Sequence, residues 1–198
     1  MALEAFALKE TAFPAKMKDA GRTKLPDDSG RRPGKLELPG DGDSKLERSN
    51  DVSFKELPAN AEYESKGYKY RTDDQGRIVS AEGQLRIKEH QGRLQIPDSM
   101  ERIGRGYEMN EDDRGHLIGD QFDGSNRLDN LVPMNKDLNR GDYKKMECEL
   151  ASAVKDGKEV YLKVEPRYEG ESARPSMFKA TNTIDGEKSI RYFDNEGR

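Results

Sequence analysis

Residues 112–147 read DDRGHLIGDQFDGSNRLDNLVPMNKDLNRGDYKKME, and this stretch decides how the chain is read. It begins with Asp112 and then Asp113-Arg114-Gly115-His116, followed by apolar Leu117 and Ile118. It closes on a helical pattern: Tyr143, Met146, Leu150, Ala153 and Val154 recur at steps of three and four, and Gly157 follows Asp156 where a C-terminal glycine belongs. The spacing predicts one helix over 138–156, with Gly141 weakening its first turn. Asn139 and Glu147 are eight positions apart, about 800° of helical rotation, so a single helix would carry both on broadly one side, with Tyr143 between them.

The chemistry in this stretch is concentrated. The chain has only two histidines, His90 and His116. Histidine is the side chain whose ordinary pKa lets it accept a proton near neutral pH. The neighbouring Arg114 can hold a phosphate, and Gly115 lets backbone approach a ligand. Asn139 offers a neutral oxygen and Glu147 a carboxylate, both suited to a hard cation such as Mg²⁺, which keeps several waters and needs few protein ligands.

Outward from this stretch, Tyr63, Tyr68 and Tyr70 fall at strand spacing. Asp73-Asp74-Gln75-Gly76 is a turn, and Arg77 to Ser80 a returning strand. Residues 84–87 and 94–96 are further short extended candidates. Val160, Leu162 and Val164 alternate as a strand, and Phe178 to Ile184, Asp185-Gly186, then Ser189 to Phe193 form a hairpin with a type I′ turn. Residues 1–18 could make a short helix limited by Pro14. Residues 1–58 as a whole read as a charged, Gly/Pro-rich arm or linker, with basic and acidic side chains in equal number, and 59–198 as the folded domain.

Composition sets the outer bounds. The chain has 198 residues, 32% hydrophobic and 37% charged, with a net charge of −4. The high charge fits a compact domain with a solvated extension better than one core throughout. One cysteine excludes an intramolecular disulfide framework and a Cys-based zinc site. No stretch approaches the apolar length of a membrane span, so no membrane partner is expected. The N-terminus lacks a basic n-region and Glu4 interrupts its apolar run, so it is not read as a Sec signal peptide.

Asp-Arg-Gly-His at 113–116, Asp-Asn-Leu-Val-Pro-Met-Asn at 129–135 and Leu-Asn-Arg-Gly-Asp-Tyr-Lys-Lys-Met-Glu at 138–147 together resemble the DNA/RNA non-specific endonucleases of the ββα-metal (His-Me finger) superfamily. The likeness is closest to the branch found as C-terminal domains of bacterial toxins, and strongest over about 105–165. The resemblance implies an α+β fold: a mainly antiparallel sheet with a ββα-metal core, after an extended N-terminal arm. It implies that His116 is the general base, Arg114 the motif arginine beside it, and Asn130 an asparagine that supports the site. Asn139 would be the direct metal ligand, and Glu147 the acid that holds metal-bound water. The family also places an upstream arginine on the scissile phosphate, for which Arg86 and Arg105 are the candidates.

The expected function is therefore Mg²⁺-dependent hydrolysis of DNA, RNA or both, with Mn²⁺ as a substitute metal and 5′-phosphate products. The domain would act as a bacterial toxin or effector, exported by a non-Sec route or within a larger toxin, and met by a cognate immunity protein. The alternatives are a catalytically idle nucleic-acid-binding or interaction module and a phosphodiesterase for a small nucleotide. Blander expectations attach to other residues. His90 reads as a surface residue, Asn126 and Asn135 as turn formers, and Asp112, Asp113, Asp120, Asp123 and Asp129 as mostly turn and cap residues. Cys148 reads as a packing residue. Arg140, Lys144 and Lys145 are either a solvated helix face or phosphate contacts.

Overall fold

Alternation along the strands lays out the larger part of the molecule in this computed structural model, which describes residues 56–196 apart from 90, 91, 93 and 94. The expected helix in 1–18, most of the arm, and His90 lie outside the described residues. β1 (Glu62–Ser65) and β2 (Tyr68–Thr72) form a hairpin across Lys66-Gly67, both at positive φ. In β2, Tyr68, Tyr70 and Thr72 point inward and Lys69 and Arg71 outward. Asp73 organises the next turn, its Oδ1 accepting from the backbone N–H groups of Gln75 and Arg77, and β3 (Ile78–Gln84) returns. Residues 85–87, expected to be extended, lie beyond the end of β3 and form no strand.

After β3 the chain leaves the sheet. α1 (Met100–Gly104), β4 (Asp112–His116), β5 (Leu131–Asn135), α2 (Lys136–Arg140) and α3 (Asp142–Lys155) follow before β6 (Val160–Arg167) pairs antiparallel with β3. β7 (Met177–Ile184) and β8 (Glu187–Asp194) complete a six-stranded antiparallel sheet in the order β1-β2-β3-β6-β7-β8. The Asp185-Gly186 turn has both residues at positive φ, as its sequence requires.

One face of this sheet carries Tyr68, Tyr70, Val160, Leu162, Val164, Phe178 and Ala180 into a core that also receives Tyr143, Met146 and Leu150 from α3. Fully burying such a side chain contributes about 1.5–3 kcal/mol each. Tyr161, Ile190 and Tyr192 are exposed and alternate out of phase with these core positions. The described residues all fall within one compact unit.

β4 and β5 make a separate two-stranded antiparallel sheet, with His116 opposite Leu131 and Asp112 opposite Asn135. With α2 and α3 they form the expected β-β-α unit. The helical segment differs from its prediction, because two helices break at Gly141 (φ −102°, ψ −106°) rather than one running through. A side chain there would meet the carbonyl oxygen of Asp137 at 2.5 Å, so glycine is what permits the break. Asn139 therefore sits on α2 and Glu147 on α3, and the rotation that put both on one helix face does not apply.

Candidate active site

The segment after β4 is held by bonds from three directions. Asn130, fully buried, accepts from the Ile118 N–H at 2.9 Å and donates to the carbonyls of Ile118 at 2.7 Å and Ser125 at 2.9 Å. Tyr143 on α3 donates its hydroxyl to the Leu117 carbonyl at 2.8 Å, and Tyr68 on β2 donates to the Phe122 carbonyl at 2.6 Å. Each bond satisfies a polar atom that the core would otherwise strand, so the exit of β4 has one arrangement. Asn130 thus shapes the loop through backbone groups.

His116 is half-buried at the last position of β4, with its Nε2 2.6 Å from Oδ1 of Asn126. An amide oxygen only accepts, so Nε2 is the donor in this contact, and whenever the ring is neutral its lone pair lies on Nδ1. Asn126 in turn points Nδ2 at Oδ1 of Asp120, 3.5 Å away, and Lys88 donates to the other oxygen of Asp120 at 2.5 Å. Burial would raise the Asp120 pKa, but the Lys88 ammonium, the Asn126 amide and His116 together hold it below the usual carboxylate value. Asn126 is more than a turn former: it touches the histidine, and Asp120 supports it.

Asn139 contacts β4 itself before His116, and Glu147 contacts the loop that leaves β4 after it. Nδ2 of Asn139 donates to Oδ2 of Asp113, three residues before the histidine, at 2.9 Å. Arg140 grips the same carboxylate with Nε at 2.8 Å and Nη2 at 2.6 Å. Glu147 is buried, and its carboxylate fills the space over Gly119, three residues after the histidine; a Cβ on Gly119 would lie 2.1 Å from Oε1. Lys144 pairs with Glu147 at 3.2 Å.

The donor set fits a hard, well-hydrated cation. Among the described residues no three His, Cys, Asp or Glu side chains gather into a ligand cluster, so neither a carboxylate cage nor a Cys/His site is present there. With Nδ2 of Asn139 committed to Asp113, its Oδ1 takes no hydrogen bond from the described residues and is the neutral oxygen on offer. A metal that retains most of its waters needs little more.

The remaining sequence candidates are scattered. Arg114 is exposed, and its Nη1 bonds the carbonyls of Ile96 at 3.3 Å and Asp98 at 3.1 Å, which joins it to the segment before α1. Arg86 lies over the Tyr68 ring and pairs at 2.8 Å with Asp123, which follows the 3-10 turn Asp120–Phe122 in the loop after His116. Arg105 bonds the carbonyls of Gln75 and Gly76 in the β2–β3 turn. The aspartates expected in turns and caps are mostly ion-pair partners: Asp112 with Arg174, Asp113 with Arg140, Asp120 with Lys88, and Asp123 with Arg86 and Lys66. Asn135 does cap α2, accepting from the N–H groups of Asp137 and Leu138. Cys148 is exposed rather than packed.

Residues 59–186 match the family model described as DNA/RNA non-specific endonuclease, well over half of the chain. The chain belongs to this family. It is 37% identical over 150 residues to the Type VII secretion system protein EssD of Staphylococcus aureus strains USA300 and NCTC 8325. That match covers 72% of this chain but 24% of the relative, so the chain corresponds to about a quarter of EssD. Among solved structures, the fold is similar to NucA of Streptococcus agalactiae with a magnesium ion bound, at a TM-score of 0.55 and 16% identity, covering 75% of this chain and 77% of NucA. The same enzyme with no metal bound gives 0.51 at 18% identity with the same coverage. The α+β architecture with its ββα-metal core is that of these nucleases.

Proposed function

We propose that residues 59–198 are an endonuclease domain that hydrolyses phosphodiester bonds of DNA, RNA or both with Mg²⁺, Mn²⁺ serving as a substitute. The observation that carries this reading is the placing of two groups around His116: Asn139 bonds Asp113, three residues before it on β4, and the Glu147 carboxylate lies over Gly119, three residues after it in the loop that leaves β4. His116 is the general base. Held through Nε2 by Asn126, it takes a proton from the attacking water at Nδ1. Asn139 is the direct metal ligand through Oδ1, and Glu147 accepts hydrogen bonds from the water of the site. Bound there, a divalent ion supplies charge neutralisation at the phosphate and its leaving oxygen.

Asn130 fixes the loop that carries these groups, and Arg114 acts as the motif arginine from its place on β4. Of the two upstream candidates, Arg86 is the better phosphate ligand, because it is tied to the loop that leaves His116, whereas Arg105 is bonded into the β2–β3 turn. The likeness to a Type VII secretion system protein supports delivery by a non-Sec route within a larger bacterial toxin. A target cell's nucleic acid would be the substrate, and a cognate immunity protein would cover the site.

Incubating the protein with plasmid DNA, total RNA and a cyclic dinucleotide, each with Mg²⁺ or with EDTA, tests this. Internal cleavage of a polymer only with Mg²⁺ is the expected result. Cleavage of the cyclic dinucleotide alone would make the domain a small-nucleotide phosphodiesterase, and no cleavage of any substrate would make it a binding module.

A further inference from the structure

Asp113 has a shape of contact that a turn residue would not need. Its Oδ2 accepts from Asn139 Nδ2 at 2.9 Å and from Arg140 Nε at 2.8 Å, and its Oδ1 accepts from Arg140 Nη2 at 2.6 Å. A primary amide is nearly symmetric in shape, so only its partners decide which end faces which way. A carboxylate can only accept, so it takes the NH₂ end of Asn139 and turns the oxygen away from itself. The guanidinium fork, supplied by the very next residue, occupies both oxygens of the same carboxylate and balances its charge.

We propose that Asp113 and Arg140 are positioning residues that set the polarity and the charge of the metal position: Asp113 holds the Asn139 amide with its oxygen toward the ion, and Arg140 keeps the Asp113 carboxylate neutralised and out of the ligand set. This rests on Asn139 being the metal ligand. The ion then meets a single neutral protein oxygen and keeps its waters, and selection falls on its hydration rather than on a charged cage. The two residues therefore act on metal affinity with opposite sign. Asp113 supports binding by orienting the ligand; Arg140 restrains it by cancelling a nearby negative charge. If the pair served only to dock α2 on β4, losing either member would loosen the same contact and weaken binding alike.

Mn²⁺ binding to the full chain, followed by the electron paramagnetic resonance of the free ion without nucleic acid, separates these cases. Asn139→Ala should lose most binding. Asp113→Asn, which lets the amide turn over, should weaken it by about 10–100-fold, as outer-shell changes do. Arg140→Met should tighten it by about two-fold or more at low ionic strength, with the gain shrinking as salt is added. Weakening in both Asp113→Asn and Arg140→Met, or no change in Asp113→Asn, would overturn the inference while leaving Asn139 as the ligand. Wild-type binding by Asn139→Ala would instead remove the ligand reading on which it rests. Circular dichroism checks the fold of each variant. Should Asp113→Asn fail to fold, Arg140→Met decides alone, tighter binding supporting the proposal and weaker binding refuting it.

Discussion

At the scale of single residues, the site depends on side chains that hold other side chains. Asn126 touches His116 and nothing in its sequence context announces this: Gly-Ser-Asn-Arg reads as a turn, and only the folded loop brings it back to the strand. Asn126→Ala should leave the fold intact and reduce turnover by about 10–100-fold, chiefly in kcat, because the imidazole loses the partner that sets its tautomer. An unchanged kcat would remove Asn126 from the machinery. Gly119→Ala places a methyl against Oε1 of Glu147 and should raise the Mg²⁺ concentration needed for half-maximal rate, read by titrating metal against initial velocity. Lys88 offers a test by pH. It helps hold the Asp120 carboxyl below its ordinary value, so the ion pair adds stability that is present above the unfolded carboxylate pKa and is lost as pH falls through the lower folded one. Lys88→Met should therefore melt below the wild type at neutral pH, with the gap closing below about pH 4. A gap that is constant with pH would assign Lys88 a packing role only.

At the scale of elements, alternation and turn chemistry made most of the strands readable. The Tyr68–Tyr70 and Val160–Leu162–Val164 patterns and the Asp185-Gly186 turn each carry their own signal and lie where expected. The helix over 138–156 was legible as helical but not as broken, because apolar periodicity continues on α3 while the break depends on backbone at Gly141. His116, Asn139 and Glu147 were singled out by the motif resemblance, and the one-helix spacing that joined Asn139 to Glu147 does not survive the break at Gly141; Asn126, Asp113 and Gly119 carried no such signal, since their contacts arise only where α2, α3, β4 and the loop after it meet. The same holds for Arg174, which pairs at 2.8 Å with Asp112 in full burial and also donates to the Asn195 carbonyl, binding the end of the chain to the start of β4. Arg174→Met leaves a buried carboxylate without its counter-charge and should cost about 3–5 kcal/mol. Chemical denaturation would measure it, and a loss below one kcal/mol would mean that the pair is dispensable.

At the scale of the whole molecule, the six-stranded sheet acts as a platform, and the segment between β3 and β6 holds all the residues proposed for catalysis and metal binding. The folded domain reaches slightly upstream of the family match: Leu57 packs against the cluster of Ile103, Leu128 and Leu131, and Thr72 donates to the Pro58 carbonyl at 2.6 Å. A chain beginning at Glu56 should therefore keep full specific activity without the arm, whereas one beginning at Ala59 should keep its chemistry and melt at a lower temperature; inactivity of a folded chain from Glu56 would give the arm a catalytic share. The claim on which the rest depends is that His116 is the base of a nuclease. The initial rate of plasmid nicking by His116→Ala, at saturating Mg²⁺ and with the fold verified, measures it most directly. A fall of about 10²–10⁴-fold is expected, and a variant that keeps more than half of the wild-type rate would show that His116 is not the base.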